Sequence, residues 1–213
     1  MNDLDLWFWE KRLPEIALNL EKNRFKTYIS ANEADTVKIL FSLIQEGNSI
    51  GLGGSVTLAQ LNIVEILKKK NFNIINPPDK TLPYEKVIEQ RRQSLLSDVF
   101  ISSANAITEN GFVVNLDGIS NRTAALLFGP KKVIIIAGIN KIVKDTEAAI
   151  DRIKRYAAPI NAKRLNRATP CAETGVCGDC KTDVRVCCNT VIQGFQNTHG
   201  RTNIILIKKS FGI

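Results

Sequence analysis

The segment 99–138, VFISSANAITENGFVVNLDGISNRTAALLFGPKKVIIIAG, decides the fold. Three apolar runs rich in Val, Ile and Phe are typical of buried strands, at residues 99–102, 112–116 and 133–137. Glu109-Asn110-Gly111 lies between the first two runs, and Asn-Gly in that setting predicts a hairpin. Residues 120–127 are predicted to be helical and to stop at Gly129-Pro130. Strands and helices therefore alternate across this segment.

The flanking sequence continues the alternation. Further strands are predicted at 49–52, 72–75 and 203–207, and further helices at 56–69, 84–96 and 145–156. The first 45 residues are predicted to be helical, with an amphipathic helix over 4–23 and a second helix that Ser30-Ala31-Asn32-Glu33 caps. This order predicts an α/β fold in which a mostly parallel sheet carries helices on both faces.

The length and composition predict one domain. A chain of 213 residues with 44% hydrophobic content can bury one core. We expect a single domain over 1–213, with a helical N-terminal segment at 1–45 and a C-terminal cysteine-rich loop at 168–190. The apolar runs are far shorter than a membrane span, and the acidic start differs from a secretory signal, so we expect a cytoplasmic protein that does not enter membranes.

The net charge of +8 is concentrated in the stretch 141–170, which has eight basic and three acidic residues. Such a stretch could face an anionic ligand or an acidic partner protein, or it could be a solvated helix face. Tyr156 is the one aromatic residue among these cations, so a platform for stacking bases is not indicated and we expect no nucleic-acid partner. A homo-oligomer is compatible with the sequence.

The glycine-rich loop 51–55 joins a predicted strand to a predicted helix. Glycines at Gly53 and Gly54 would let the backbone approach a ligand, and Ser55 and Thr57 add hydroxyl donors. The pattern matches neither the dinucleotide fingerprint nor the P-loop, so it predicts an anion site of unspecified kind or a tight turn without ligand.

Polar residues cluster where the predicted strands of the central segment end. They are Asn105, Glu109, Asn115, Asp117, Asn121 and Arg122. Because α/β sheets bind ligands at the carboxyl ends of their strands, we expect these residues to form a site with the glycine loop. Arg122 could clamp a carboxylate or phosphate, with Asn115 and Asn121 as further ligand contacts. Glu109 or Asp117 could act as the catalytic acid or base, with Asn105 beside them.

These blocks resemble the lactate-utilisation (LUD) domain family. The resemblance rests on GLGGSVTL at 51–58, on residues 103–143, and on AAPINAKRL followed by TPCAETGVCGDC at 157–180. It implies the fold of the ribose-5-phosphate isomerase, glucosamine-6-phosphate deaminase and CoA-transferase superfamily. In the sugar-phosphate isomerases the segment equivalent to 102–109 carries catalytic acids, whereas this chain has Asn105 there. Family members are associated with oxidation of lactate to pyruvate alongside iron–sulfur subunits.

All five cysteines fall between Cys171 and Cys188. Disulfides are disfavoured in a cytoplasmic protein, and a redox pair at Cys177 and Cys180 would leave the others unexplained. The spacing around one CxxC favours an iron–sulfur cluster, with structural zinc as the alternative. The predicted ligands are Cys171, Cys177, Cys180 and Cys187, and Cys188 is an alternative to Cys187.

The leading hypothesis is therefore a protein of lactate or related 2-hydroxy acid utilisation. It would bind a small anionic substrate and a [4Fe–4S] cluster, as an iron–sulfur oxidoreductase or a subunit of one with a redox partner protein. The alternative is a non-redox transferase or isomerase that acts on a phosphorylated or CoA-type substrate and holds a structural zinc.

Overall fold

The computed structural model describes residues 3–79 and 81–213. Ten strands occur among the described residues: β1 (Lys26–Ser30), β2 (Ser49–Leu52), β3 (Asn73–Ile74), β4 (Val99–Ser102), β5 (Ala106–Thr108), β6 (Val113–Asp117), β7 (Lys132–Gly138), β8 (Ile142–Val143), β9 (Asn189–Gln193) and β10 (Thr202–Ile207). The α-helices are α1 (Asp3–Lys22), α2 (Glu33–Leu43), α3 (Val56–Gln60), α4 (Ile63–Lys69), α5 (Tyr84–Gln93), α6 (Asn121–Leu127), α7 (Thr146–Arg152), α8 (Ala158–Arg164) and α9 (Pro170–Thr174). A π-helical turn, Ile153–Ala157, joins α7 to α8.

The main sheet has six strands in the order β1-β10-β7-β4-β2-β3. Every pair in it is parallel. Strand β7 is buried on both faces: Val133 and Ile135 pack with α1 and α6, whereas Ile134 and Ile136 pack with α2, α3 and α4. The predicted α/β fold with helices on both faces of a mostly parallel sheet is confirmed. A strand buried on both faces needs apolar residues at every position, which explains the continuous Val133–Ile136 run.

A second sheet of four strands has the order β8-β5-β6-β9. The predicted hairpin is present, because β5 and β6 pair antiparallel through Ala106–Val114 and Ile107–Val113. One face of this sheet contributes Val113 to the main core, and the other contributes Val114 to a small core with α7 and α8. The sequence patterns did not indicate that the hairpin belongs to a separate sheet.

The N-terminal segment 1–45 is not helical throughout; its residues 1 and 2 lie outside the described part. Residues Lys26–Ser30 form β1, an edge strand that pairs with β10. The predicted capping residue is also corrected: Asn32 caps α2 by accepting a hydrogen bond from Asp35 N at 2.9 Å, while Ser30 ends β1. A short edge strand needs few apolar residues, which is why its pattern was missed.

None of the helices among the described residues has the length and apolar character needed to cross a bilayer.

Candidate functional site

The glycine loop lies against the end of β4. Gly53 N donates to Ile101 O at 2.9 Å, and a Cβ on Gly53 would lie 2.3 Å from Ser102 Oγ. A side chain at this position would therefore collide with the neighbouring strand. Ser55 caps the following helix, since its hydroxyl accepts from Leu58 N at 3.3 Å. The loop is also held on its other side, where Leu52 N donates to Asn76 Oδ1 and Asn76 Nδ2 donates to Leu52 O, both at 2.7 Å.

Arg122 joins the strand ends to α6. Its guanidinium lies 3.6 Å from Asp117 Oδ2 and donates to four oxygens. These acceptors are Ser103 O (3.2 Å), Asn115 Oδ1 (2.8 Å), Asn105 Oδ1 (2.9 Å) and Leu116 O (2.8 Å). Burial lowers the pKa of Arg122, and Asp117 opposes that shift. Arg122 thus brings Asn105, Asn115 and Asp117 together, as expected from their positions at the strand ends.

Asn115 is fully buried, and only one of its two polar side-chain atoms has hydrogen-bond partners in the described part of the chain. Its Oδ1 accepts from Arg122 and, at 3.3 Å, from Asn105 N. Its Nδ2 is buried and has no hydrogen-bond partner among the described residues. A buried donor without an acceptor costs about 1–3 kcal/mol, so this amide could donate to an additional oxygen at no further desolvation cost.

Lys141 is a buried cation beside Arg122. It follows β7 in a single turn and is 4% exposed. Its Nζ donates to Thr57 Oγ1 at 3.0 Å, Ser103 Oγ at 2.9 Å and Ala104 O at 3.1 Å. Burial, and secondarily the charges of Arg152 and Arg122, lower the pKa of Lys141 to about 7.

Arg152 is the third cation that donates to the short segment 103–105. From the end of α7 it donates to Asn105 O at 2.8 Å and to Asn140 O at 3.0 Å, and burial lowers its pKa. Lys141 and the two arginines thus hold three consecutive residues, 103–105, which leave the end of β4. We call Arg122, Lys141 and Arg152 the cation cluster.

The basic stretch 141–170 therefore divides into two parts. Lys141 and Arg152 turn inward to the cation cluster, whereas the other cations are exposed: Lys144, Lys154, Arg155, Lys163, Arg164 and Arg167. Sequence reasoning missed Lys141 and Arg152 as site residues because it treated the stretch as one surface. The position of Lys141 three residues after a buried strand was the available signal, since strand ends carry ligand sites in α/β folds.

Three other predicted site residues lie apart from the cluster contacts. Glu109 follows the opposite end of β5 from Asn105 and forms an ion pair with Arg12 of α1. Gly54 is exposed, with open space where a Cβ would be. Asn121 is half-buried in the first turn of α6. The structure does not place Glu109 beside Asp117.

The cysteine loop, residues 171–188, lies on the face of the four-stranded sheet opposite to Arg122. Cys187 is half-buried and packs on the small core with Leu116, while Cys188 is exposed and its N–H donates to Asp117 O at 2.9 Å. Cys177 and Cys187 line a cavity of about 160 Å³ together with Cys188. Burial raises the pKa of the Cys187 thiol; the nearby thiols of Cys177 and Cys180 add to the rise, and Arg185 opposes it.

Arg185 links separate parts of the cysteine loop. Arg185 donates to Cys180 O at 2.6 Å and to Cys187 O at 2.8 Å, and it forms an ion pair with Asp179 at 2.8 Å. Arg185 thus links the backbone at two of the four predicted ligands, Cys180 and Cys187, and the Cys177 thiol is near enough to Cys187 to affect its pKa. Cys171 instead lies in α9, where its Sγ contacts Thr169 Oγ1 at 3.4 Å. Across residues 3–79 and 81–213, no three Cys, His, Asp or Glu side chains are arranged to hold a metal ion. The donor chemistry suits a thiolate-bound metal, but the chain alone does not preform its geometry.

The fold and these strand-end residues define an α/β protein with a buried cationic site and a cysteine loop. The LUD domain family model matches residues 13–207, and the chain belongs to this family. No curated protein matches the chain.

Solved structures similar to this chain include the following two. A DUF162 family protein from Deinococcus radiodurans is 11% identical, covers 93% of this chain and 96% of its own, and superposes with a TM-score of 0.52. This likeness concerns the fold alone. Ribose 5-phosphate isomerase A from Methanocaldococcus jannaschii is 15% identical, with 63% and 66% covered and a TM-score of 0.35.

Proposed function

We propose that this LUD-domain protein acts in the utilisation of lactate or a related 2-hydroxy acid, and that it binds the small carboxylate at the cation cluster. The observation that carries the proposal is the charge imbalance at the strand ends. Arg122 has Asp117 as its ion-pair partner, but no Asp or Glu of the described residues lies within ion-pairing distance of Lys141 or Arg152. Buried charges are normally paired, so an anion would complete this site.

The surrounding groups favour a small ligand with several oxygens. The Asn115 amide is a free buried donor, and the hydroxyls of Ser103 and Thr57 already meet Lys141. A carboxylate could accept from the cations while a neighbouring hydroxyl or carbonyl oxygen uses the neutral donors. Lactate and pyruvate both have this combination of groups.

Calorimetric titration of lactate, pyruvate and ribose 5-phosphate into the protein tests the proposal. We expect lactate or pyruvate to bind, and Arg152→Gln to weaken that binding about tenfold or more, because a charge-assisted hydrogen bond contributes about 1.5–3 kcal/mol. Arg155→Gln is the matched control, since Arg155 is exposed one turn further along the same helical stretch. It should bind as the wild type does.

Two outcomes would contradict this function. If Arg152→Gln and the wild type bind with equal affinity, the cation cluster is not the binding site. Binding of the phosphorylated sugar with no binding of either carboxylate would support the transferase or isomerase alternative instead.

We further propose that the cysteine loop binds an iron–sulfur cluster through Cys171, Cys177, Cys180 and Cys187. The proposal is supported by the neighbouring thiols of Cys177, Cys180 and Cys187 and by the cavity that Cys177 and Cys187 line. When bound, the cluster would supply electron transfer. The role of the chain would be to hold the thiols in one loop, with Arg185 tying the carbonyls of Cys180 and Cys187 together.

Metal analysis of protein purified without oxygen tests this part independently. We expect about four irons per chain with visible absorption, and loss of both in Cys177→Ser. Cys188→Ser should keep the iron, because Cys188 is exposed while Cys187 packs inward. Iron loss in Cys188→Ser with retention in Cys187→Ser would reassign the fourth ligand. One zinc and no iron would overturn the iron–sulfur proposal.

A further inference from the structure

Lys141 differs from an ordinary structural lysine in its partners. Three oxygens surround its Nζ, and all of them are neutral: the hydroxyls of Thr57 and Ser103 and the carbonyl of Ala104. The Gly212 backbone covers it from solvent, because a Cβ on Gly212 would lie 3.1 Å from Nζ. The ammonium is therefore removed from water without a negative charge to replace the lost hydration.

The charged groups that face Lys141 make its ammonium still less favourable. Arg152 at the end of α7 and Arg122 in α6 are the two that act on it, and both are positive. From α3 and from the C-terminal segment the groups that meet it are the Thr57 hydroxyl and the Gly212 backbone. Lys141 is thus the member of the cation cluster whose charge is easiest to lose, since a guanidinium does not deprotonate in proteins.

We propose that Lys141 contacts the bound carboxylate directly, with a carboxylate oxygen replacing one of its three neutral oxygen partners, and that each carboxylate binds together with one proton, which Lys141 holds. This inference rests on the proposed function, because it assigns a role within the same site. The balance is simple: the neutral amine, the carboxylate and one proton from solvent combine into an ammonium–carboxylate pair, and no bond to carbon changes.

The direction of the pH dependence follows from this balance. In the free protein, burial holds the pKa of Lys141 near 7, well below its ordinary value. A bound carboxylate favours the ammonium and raises that pKa, so binding takes up a proton between the free and bound values. The affinity should change little below pH 7 and fall above it, becoming about tenfold weaker at pH 8 than at pH 6.

Calorimetric titration of the intact protein with lactate and with pyruvate tests the inference. Measurements at pH 6, 7 and 8, in buffers of high and low ionisation enthalpy, give the number of protons taken up per ligand. We expect uptake approaching one proton at pH 8. Lys141→Arg should bind with little pH dependence, because its charge does not titrate, and Lys141→Met should bind at least about tenfold more weakly. Lys144→Met, which alters an exposed neighbour, should behave as the wild type.

The outcomes separate this inference from the proposed function. If the wild type binds neither acid at any pH, the proposed function fails. If the wild type binds and Lys141→Arg keeps the same proton uptake, the function stands and the inference is overturned. If the Lys141 variants do not fold, carbon-13 NMR of the lysine side chains in the wild type decides: the inference requires the pKa of one buried lysine to rise when the ligand is added.

Discussion

Replacing Arg122 with methionine is expected to lower the free energy of unfolding by about 3–5 kcal/mol, as for other buried ion pairs that lose one partner. The methionine would leave Asp117 without its cation and would remove the donor from four oxygens of the strand-end segments. Two of these acceptors, Ser103 O and Asn115 Oδ1, belong to buried residues, where water cannot readily replace the arginine. The loss therefore combines an unpaired charge with unsatisfied hydrogen bonds.

Denaturant unfolding measured by circular dichroism checks this expectation. Arg155→Met is the control, because Arg155 is exposed and its ion pair with Asp151 lies at the surface. Such pairs contribute about 1 kcal/mol or less. A loss below about 1 kcal/mol in Arg122→Met would mean that the strand ends are held by other contacts.

Gly111→Ala is expected to be the second large loss, about 3 kcal/mol or more, from backbone strain plus overpacking. Gly111 has a φ of +85°, and a Cβ there would lie 2.5 Å from the backbone carbon and oxygen of Asn19 in α1. Backbone atoms cannot rotate away as a flexible side chain can. The substitution should push α1 off the β5–β6 hairpin, where Asn23 Nδ2 now donates to Gly111 O at 2.9 Å.

Gly47→Ala separates the two causes of that loss. Gly47 has nearly the same φ, +84°, but nothing lies within 4 Å of its Cβ position. Its substitution should therefore cost only the conformational penalty, about 1–2 kcal/mol. Thermal or denaturant unfolding of the two variants side by side measures the difference. Equal losses would show that α1 yields easily at this contact.

Much of the main sheet was predictable from sequence because its strands are buried on both faces. The 133–137 run is apolar throughout and the 99–102 run is apolar up to its last residue, Ser102, and the structure has strands at both places. The second sheet was not predictable in this way, because β8 has two residues and β9 is mostly polar. The predicted single helix over 56–69 is interrupted at Asn62, whose left-handed conformation no periodicity indicates.

Residues at the carboxyl ends of parallel strands are expected to lie close together, and Asn105, Asn115, Asp117 and Arg122 do so. This expectation depends only on topology. It could not show that Arg122 is engaged by protein oxygens, nor that Glu109 meets Arg12 across 97 residues of sequence. The Glu109–Arg12 pair depends on how α1 packs against the β5–β6 hairpin, which local sequence patterns do not indicate. Lys141 was missed because the sequence does not distinguish this buried lysine from the other cations of the same stretch, most of which are exposed.

The alternation of side chains along β6 predicts which of the two sites a substitution in this strand will affect. Its odd-numbered residues Asn115 and Asp117 turn toward Arg122, whereas Leu116 lines the cysteine cavity. Parity along one strand thus assigns a side chain to one compartment or the other, and the strand is a partition between them. A carboxylate at Arg122 and a metal at the cysteines would face opposite sides of that partition, whereas α7 reaches both sites, with Arg152 in the cation cluster and Ile150 at the cysteine cavity.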